Sequence, residues 1–443
     1  MRIVMTYENL LPARQADAEQ FLRTADALAQ QGNEVDFVVP RNPDYPDFDH
    51  LALQQHYGLS TRFNLIHLPS QHRFIGYQHA AHAWQVCRWL KGQHYDLVYT
   101  RNLSMLAALL QAGHTAVYEH FRPWGDQIPP LQPLLRYLLQ QPSCLGAILH
   151  SHFAQASYVR LGIATQRLQV IHNGYDPALL LPYRSRTEAR QQLHLPRNKK
   201  LVMYTGRINQ RKGLESLLAM AKAMPALYFV LVGSYGQGPI EAQATGLSNV
   251  QVIPWQPFEK LSDFLYAADV LMIPPSAQPL IKHGNTVLPL KLFLYLAARR
   301  PIFAPANPDT SELLQHGINA ELCSPGNIKT AVQALQGLLD DPARQAKLVQ
   351  GATKTAEGLT WAHRAQRIQD FLRQRLNAKT ARRPSNQPSP PTQPAIMWLG
   401  DSARWLLRGV SKGQWIMPPA HIYIDTININ MANHKEIQEP TMR

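Results

Sequence analysis

The feature that most constrains this chain is a rhythm of short apolar runs separated by helical stretches, which begins at the first residues and begins again near residue 201. Ile3 to Thr6 reads as a strand, Ala16 to Gln30 as a helix ended by Gln31-Gly32, and Val35 to Val39 as the next strand. Parallel strands need a helical crossover between them, so this βαβ opening predicts a parallel sheet with helices on its faces. Further strands are expected at Asn64 to Leu68, Leu97 to Thr100, Ala116 to Glu119 and Ala147 to His150, with a helix over His79 to Leu90. The run Leu168 to Ile171 leads into HNGYDP, whose turn-forming residues mark an exit from the first domain.

The same rhythm restarts with LVMYTG at 201–206 and a helix from Leu214 to Met224, followed by LYFVLVG at 227–233 and Val250 to Ile253. A helix around Leu261 to Ala267, a strand Val270 to Ile273, a helix Pro289 to Ala298 and a strand Pro301 to Ala304 complete a second α/β domain. The segment from Trp361 places Trp361, Ala365, Ile368, Phe371 or Leu372, and Leu376 on one helical face that must pack on something. After Ala381 the stretch RRPSNQPSPPTQP is a linker without core-forming residues. Beyond it, Trp398, Trp405 and Leu406 against Arg404, Arg408 and Lys412 fit either a short amphipathic helix or a loosely docked tail.

Composition narrows the partners. With 45% hydrophobic and 17% charged residues the chain reads as soluble and globular, and no apolar run is long enough to span a membrane. Cys87, Cys144 and Cys323 form neither a CxxC pair nor a disulfide framework, and MRIVMTYENL does not resemble a secretory signal, so a cytoplasmic location is expected. The net charge of +14 favours an anionic partner, and peripheral contact with an anionic membrane is compatible with it. Nucleic acid is not expected, because zinc-finger spacing, RNP-like aromatics and basic repeats are all missing from the sequence.

In open α/β sheets ligands sit beyond the carboxyl ends of the strands, so the loops there are the first to search. Directly after LVMYTG come Arg207 and Lys212, with Gly213 at a helix start, an arrangement suited to a diphosphate. An isolated pair at this spacing is also what a solvated loop produces, and its meaning depends on the surroundings. Gly284-Asn285-Thr286 offers amides and a hydroxyl to a polyhydroxylated ligand and precedes a helix carrying Lys291. The strand AVYEHF presents Glu119 and His120 at its carboxyl end, with His120 the candidate polar group at the reacting sugar, although a lone histidine is more often structural. His79 and His82 have HxxH spacing without a third ligand and read as a surface pair; Asp47-Phe48-Asp49 reads as a chance DxD in a loop.

The ordered set VIHNGYD, YTGRINQRKGLESLL, FVLVG, AADVLMIPPS, PLKLFLYLAARRPIFA, HGINAELCSPG and TWAHRAQRI resembles glycosyltransferase family 4, over roughly residues 1–377. The resemblance implies an α/β GT-B fold: two Rossmann-like domains facing across a cleft, an acceptor domain at 1–177 and a nucleotide-sugar donor domain at 178–360. A helix at 361–378 would return to the first domain, leaving 379–443 as a linker and tail of unassigned role. It further implies a retaining transfer from a UDP- or GDP-sugar to a glycan or lipid-linked acceptor, in cell-envelope polysaccharide biosynthesis, without a metal or other cofactor. Arg207 and Lys212 match the family's diphosphate clamp, Gly206, Gly284, Asn285, Thr286 and Lys291 fall in its donor-binding stretches, and His120 resembles its first-domain histidine near the transferred sugar. Two family glutamates are replaced, by Thr286 and Leu294, and the first loop reads LLPARQADAE in place of paired glycines. A nucleotide-sugar-binding homologue with little or no turnover is therefore the alternative.

Overall fold

In a computed structural model the structure describes residues 1–13, 16–60, 62–69, 75–236, 238–283 and 288–381. Among the described residues the chain forms two compact units: Met1–His150 with Ala154–Ile171 and Arg364–Ala381, and Ser151–Phe153 with His172–His363.

The first unit is built on seven parallel strands: β1 (Arg2–Thr6), β2 (Glu34–Pro40), β3 (Asn64–Leu68), β4 (Leu97–Thr100), β5 (Ala116–His120), β6 (Cys144–Leu149) and β7 (Leu168–Val170). Their order is β3-β2-β1-β4-β5-β6-β7. The chain winds outward on one side of β1 and then returns to β4 on the other. Crossovers on the two sides diverge at the carboxyl ends of β1 and β4, opening a crevice there. The strand expected from Ala147 to His150 runs instead over Cys144–Leu149, because pairing with β5 begins at Cys144 and continues through Gly146, whose φ of +132° falls at a register shift. The helix Ile75–Leu90 buries His82 beside Ala83 and Val86. His82 therefore lies on the packed face of its helix and is no surface residue, and burial with His79 nearby pushes its pKa down to about 4. Asp49 caps the helix His50–Tyr57 by accepting the Ala52 N–H at 3.0 Å, an element too weakly amphipathic to stand out in the sequence.

The second unit carries six parallel strands: β8 (Leu201–Thr205), β9 (Tyr228–Ser234), β10 (Val250–Pro254), β11 (Val270–Met272), β12 (Ile302–Pro305) and β13 (Glu321–Cys323). Their order, β10-β9-β8-β11-β12-β13, repeats the outward-and-return winding about β8. Side chains alternate across a strand, and β8 shows it: Leu201 and Met203 enter one apolar cluster, Val202 and Tyr204 the other. Both faces of this sheet are thus covered, as a parallel sheet requires.

Two passes of the chain meet inside the second unit. The Tyr175 N–H donates to the Leu359 carbonyl at 3.0 Å, and the Trp361 N–H to the Tyr175 carbonyl at 3.1 Å. A Cβ on Gly174 would stand 2.6 Å from the Thr360 and Trp361 backbone, so HNGYDP needs its glycine for close approach. The helix Trp361–Ala381 then carries the chain from the second unit into the first. Its Ala365, Ile368, Phe371 and Leu372 are buried as the sequence spacing demands.

Candidate functional site

The second sheet brings the sequence-predicted cations together at the carboxyl edge of β8, the point where its winding reverses. Gly206 follows β8 with φ of +126°, and a Cβ there would lie 2.8 Å from the Lys291 Nζ. A side chain at 206 would therefore displace the lysine. Lys291 rises from the helix Leu290–Ala297, one turn before Tyr295, whose hydroxyl accepts the Thr205 N–H at 2.8 Å and pins that helix to the end of β8. The Lys291 Nζ sits 3.4 Å from the centre of the Tyr204 ring. Burial, with Lys212 close by, pushes the Lys291 ammonium well below the ordinary lysine range. Burial, with Arg207 next, does the same in lesser degree to Lys212.

No carboxylate pairs with Arg207, Lys212 or Lys291 among the described residues. Unpaired cations that depress one another are costly alone and favourable around an anion. The Arg207 guanidinium lies 5.7 Å from the ring centre of Tyr235, which stacks with Trp255 at 6.4 Å and an interplanar angle of 24°. Both aromatics are about half exposed, 49% and 45%, at the carboxyl ends of β9 and β10. Sequence reasoning missed this pair. The available signal was an aromatic immediately after each of two strands, where a core residue is not needed.

The first unit treats its two candidates differently. His120 ends β5 and is buried against Tyr118, Phe121 and Trp124, whose ring centres lie 5.5, 5.0 and 4.0 Å from its own. Its Nδ1 is 3.2 Å from the Tyr158 hydroxyl and 3.3 Å from the Arg122 N–H. Burial holds its pKa well below the usual histidine value, leaving a neutral imidazole. Glu119 points into the unit. It is fully buried, accepts from Gln20 Nε2 at 2.9 Å, His150 Nε2 at 2.7 Å and the Tyr99 hydroxyl, and forms an ion pair with the Arg364 guanidinium at 3.0 Å. Burial by itself would raise the Glu119 pKa, yet Arg364, His150 and Arg101 outweigh it and hold the carboxyl well below the ordinary range. His150 is pushed down to about 4 by burial, against the pull of Glu119, so Arg364 supplies the counter-charge. Glu119 is thus a structural pin, and the sequence, which set it beside His120 at the strand end, could not show which way it turns.

Two family descriptions match the chain: Glycosyltransferase Family 4 over residues 19–179, and Glycosyl transferases group 1 over residues 185–355. The chain belongs to the family 4, group 1 glycosyltransferases. It is 27% identical over 224 residues to a D-inositol 3-phosphate glycosyltransferase of Catenulispora acidiphila, covering 47% of this chain and 51% of that one. The chain thus spans about half the length of that relative. Among solved structures it resembles sucrose-phosphate synthase from Thermosynechococcus elongatus (TM-score 0.69, 20% identity, 85% of this chain and 99% of that one). It also resembles Anabaena HepE in complex with UDP-glucose (TM-score 0.63, 20% identity, 84% and 100%). These likenesses establish the GT-B fold for this family member.

Of the donor-loop residues expected from the family, Gly284, Asn285 and Thr286 lie outside the described residues. Leu294, in place of a family glutamate, is partly buried and packs against the second unit's apolar cluster. No group of three or more His, Cys, Asp or Glu side chains suited to a metal occurs among the described residues, and no described helix is long and apolar enough to cross a membrane.

Proposed function

We propose that this glycosyltransferase moves a sugar, with retention, from a UDP-sugar to a hydroxyl of a glycan or lipid-linked acceptor of the kind built into cell-envelope polysaccharide. The observation that carries the reading is the cluster of unpaired cations Arg207, Lys212 and Lys291 at the winding reversal of the second sheet. A diphosphate gains charge as its bond to the anomeric carbon breaks, and fixed cations stabilise that charge more than they stabilise the ground state. Arg207 binds two phosphate oxygens, and Lys212 and Lys291 act as point charges whose protonated forms the anion favours. UDP is favoured over GDP by the likeness to HepE, solved with UDP-glucose. Tyr235 and Trp255 give the base an aromatic surface beside the clamp.

In this reading residues 178–360 are the donor domain and 1–177 the acceptor domain, the helix at 361–378 belongs with the latter, and His120 contributes a neutral hydrogen-bonding group. The test is a panel of nucleotide sugars with nucleotide diphosphate release as readout. Release with a UDP-sugar, abolished in Arg207→Ala, supports the reading; no release with any donor counts against it. The packing of Leu294 into the core favours a second reading, donor binding without turnover. Calorimetry distinguishes it, as UDP-sugar binding without any release of UDP.

A further inference from the structure

At the amino-end edge of the second sheet, opposite the clamp, lies a second collection of cations. A pocket of about 320 Å³ is lined there by Arg186, Arg190, Arg197, Lys199 and Lys200, with Asp269 as the acidic residue in its wall. That carboxylate is already committed. Its Oδ1 pairs with Arg186 at 2.8 Å, and its Oδ2 accepts from Arg190 at 2.5 Å and from the Leu201 N–H at 2.7 Å. Arg197, Lys199 and Lys200 are exposed, and no described carboxylate pairs with them. The Arg186 Nε is buried and donates to nothing among the described residues.

The pocket is also held in shape. Arg190 is 5% exposed and donates to the Ala267 carbonyl at 2.8 Å and to the Lys199 carbonyl at 3.1 Å, so one buried guanidinium fixes the loop that presents the two lysines. The Lys199 Nζ lies 5.7 Å from the ring centre of Tyr228. A solvated charge run has no such staple. Five cations against one spent carboxylate leave a concave surface with a strong positive potential and an unused guanidinium N–H. β8 runs between this pocket and Gly206, a separation of about 20 Å at the usual rise per residue, so one diphosphate cannot serve both.

We propose that this pocket is a second anion site, binding a phosphate group independently of the donor clamp. The ligand is a phosphorylated small molecule or the phosphate of a lipid headgroup, both of which present the same oxygens to Arg197, Lys199 and Lys200.

Inorganic pyrophosphate, titrated calorimetrically into the full chain, tests it. The wild type takes up two pyrophosphates, Arg207→Ala/Lys212→Ala retains the one at this pocket, and Lys199→Gln/Lys200→Gln retains the one at the clamp. On the clamp variant, adding Lys199→Gln/Lys200→Gln weakens the remaining binding at least tenfold, whereas the charge-matched control Lys347→Gln/Lys354→Gln, on exposed residues elsewhere, does not. Sedimentation with phosphatidylglycerol vesicles assigns the source: retention lost in Lys199→Gln/Lys200→Gln identifies a headgroup, and pyrophosphate binding without retention identifies a free ligand. A clamp variant that binds no pyrophosphate overturns this proposal and leaves the clamp standing. Equal weakening by the control pair also overturns it, since net charge would then account for the binding. A wild type that binds one pyrophosphate, lost only in Lys199→Gln/Lys200→Gln, removes the clamp and keeps this site.

Discussion

Replacing Arg364 with methionine removes the principal counter-charge of a carboxylate that has no access to water. Glu119 is fully buried, and the Arg364 guanidinium stands 3.0 Å from its Oε2. Breaking a buried pair from one side costs about 3–5 kcal/mol, because the surviving charge keeps its desolvation penalty. Gln20, His150 and Tyr99 still donate to Glu119, so the lower end, about 3 kcal/mol, is expected. With a urea slope of about 3 kcal/mol per M, the midpoint of the first unit should drop by roughly 1 M. The Glu119 pKa is depressed in the folded state, so its contribution is complete above the unfolded value of about 4.3 and is lost as pH falls through the folded value. Arg364→Met raises that folded pKa, and the gap between wild type and variant should therefore close on acidification. Glu119→Gln/Arg364→Met, which leaves no buried charge at this pair, should recover part of the loss. A single-variant loss below about 1 kcal/mol, or a gap that widens as pH falls, would refute the pin.

Arg207→Ala and Lys212→Ala should each lower turnover about thirty-fold to a thousand-fold, more than they weaken donor binding, while Lys199→Gln/Lys200→Gln leaves transfer to a soluble acceptor unchanged; steady-state kinetics decide. UDP affinity should fall as pH rises towards the lysine range, and earlier than an ordinary lysine would give, because the depressed Lys212 and Lys291 must be protonated to hold the diphosphate. Calorimetry in two buffers of different ionisation enthalpy should then show proton uptake on binding, and proton release would contradict the assignment. Trp255→Ala should weaken UDP by about 1–3 kcal/mol, the usual worth of base stacking, and leave pyrophosphate affinity intact. Equal losses for both ligands would remove the base from that surface.

Much of this architecture was legible because parallel sheets write themselves as apolar runs at crossover spacing. The helix Ala16–Gln30 and the strands Asn64–Leu68 and Leu97–Thr100 fall where the pattern puts them. Glu321–Cys323 escaped notice because three residues at a sheet edge carry too little periodicity. His82 was misassigned because a single polar residue on an apolar helix face does not announce its burial. In the candidate site, Arg207 and Lys212 were readable from their place after a strand. The Tyr235–Trp255 stack was not, since it depends on two loops meeting in space. The partner of Glu119 was equally hidden, lying at the far end of the described chain.

That distance in sequence matters during synthesis. A ribosome delivers Glu119 and the six strands around β5 long before it delivers Arg364. The nascent first unit must then either keep its carboxylate hydrated by leaving the sheet loosely packed, or close over a charge with no ion-pair partner beyond Arg101 nearby. The second unit, assembled from His172 to His363 with only Ser151–Phe153 from earlier in the chain, closes when Leu359 and Trp361 reach Tyr175, but its buried Asp269 meets an Arg190 already made and waits for no counter-charge. Vectorial folding would accordingly run in reverse of the chain's own order, the later-made unit reaching its native state first and the earlier-made unit becoming protease-resistant only when the helix Trp361–Ala381 emerges.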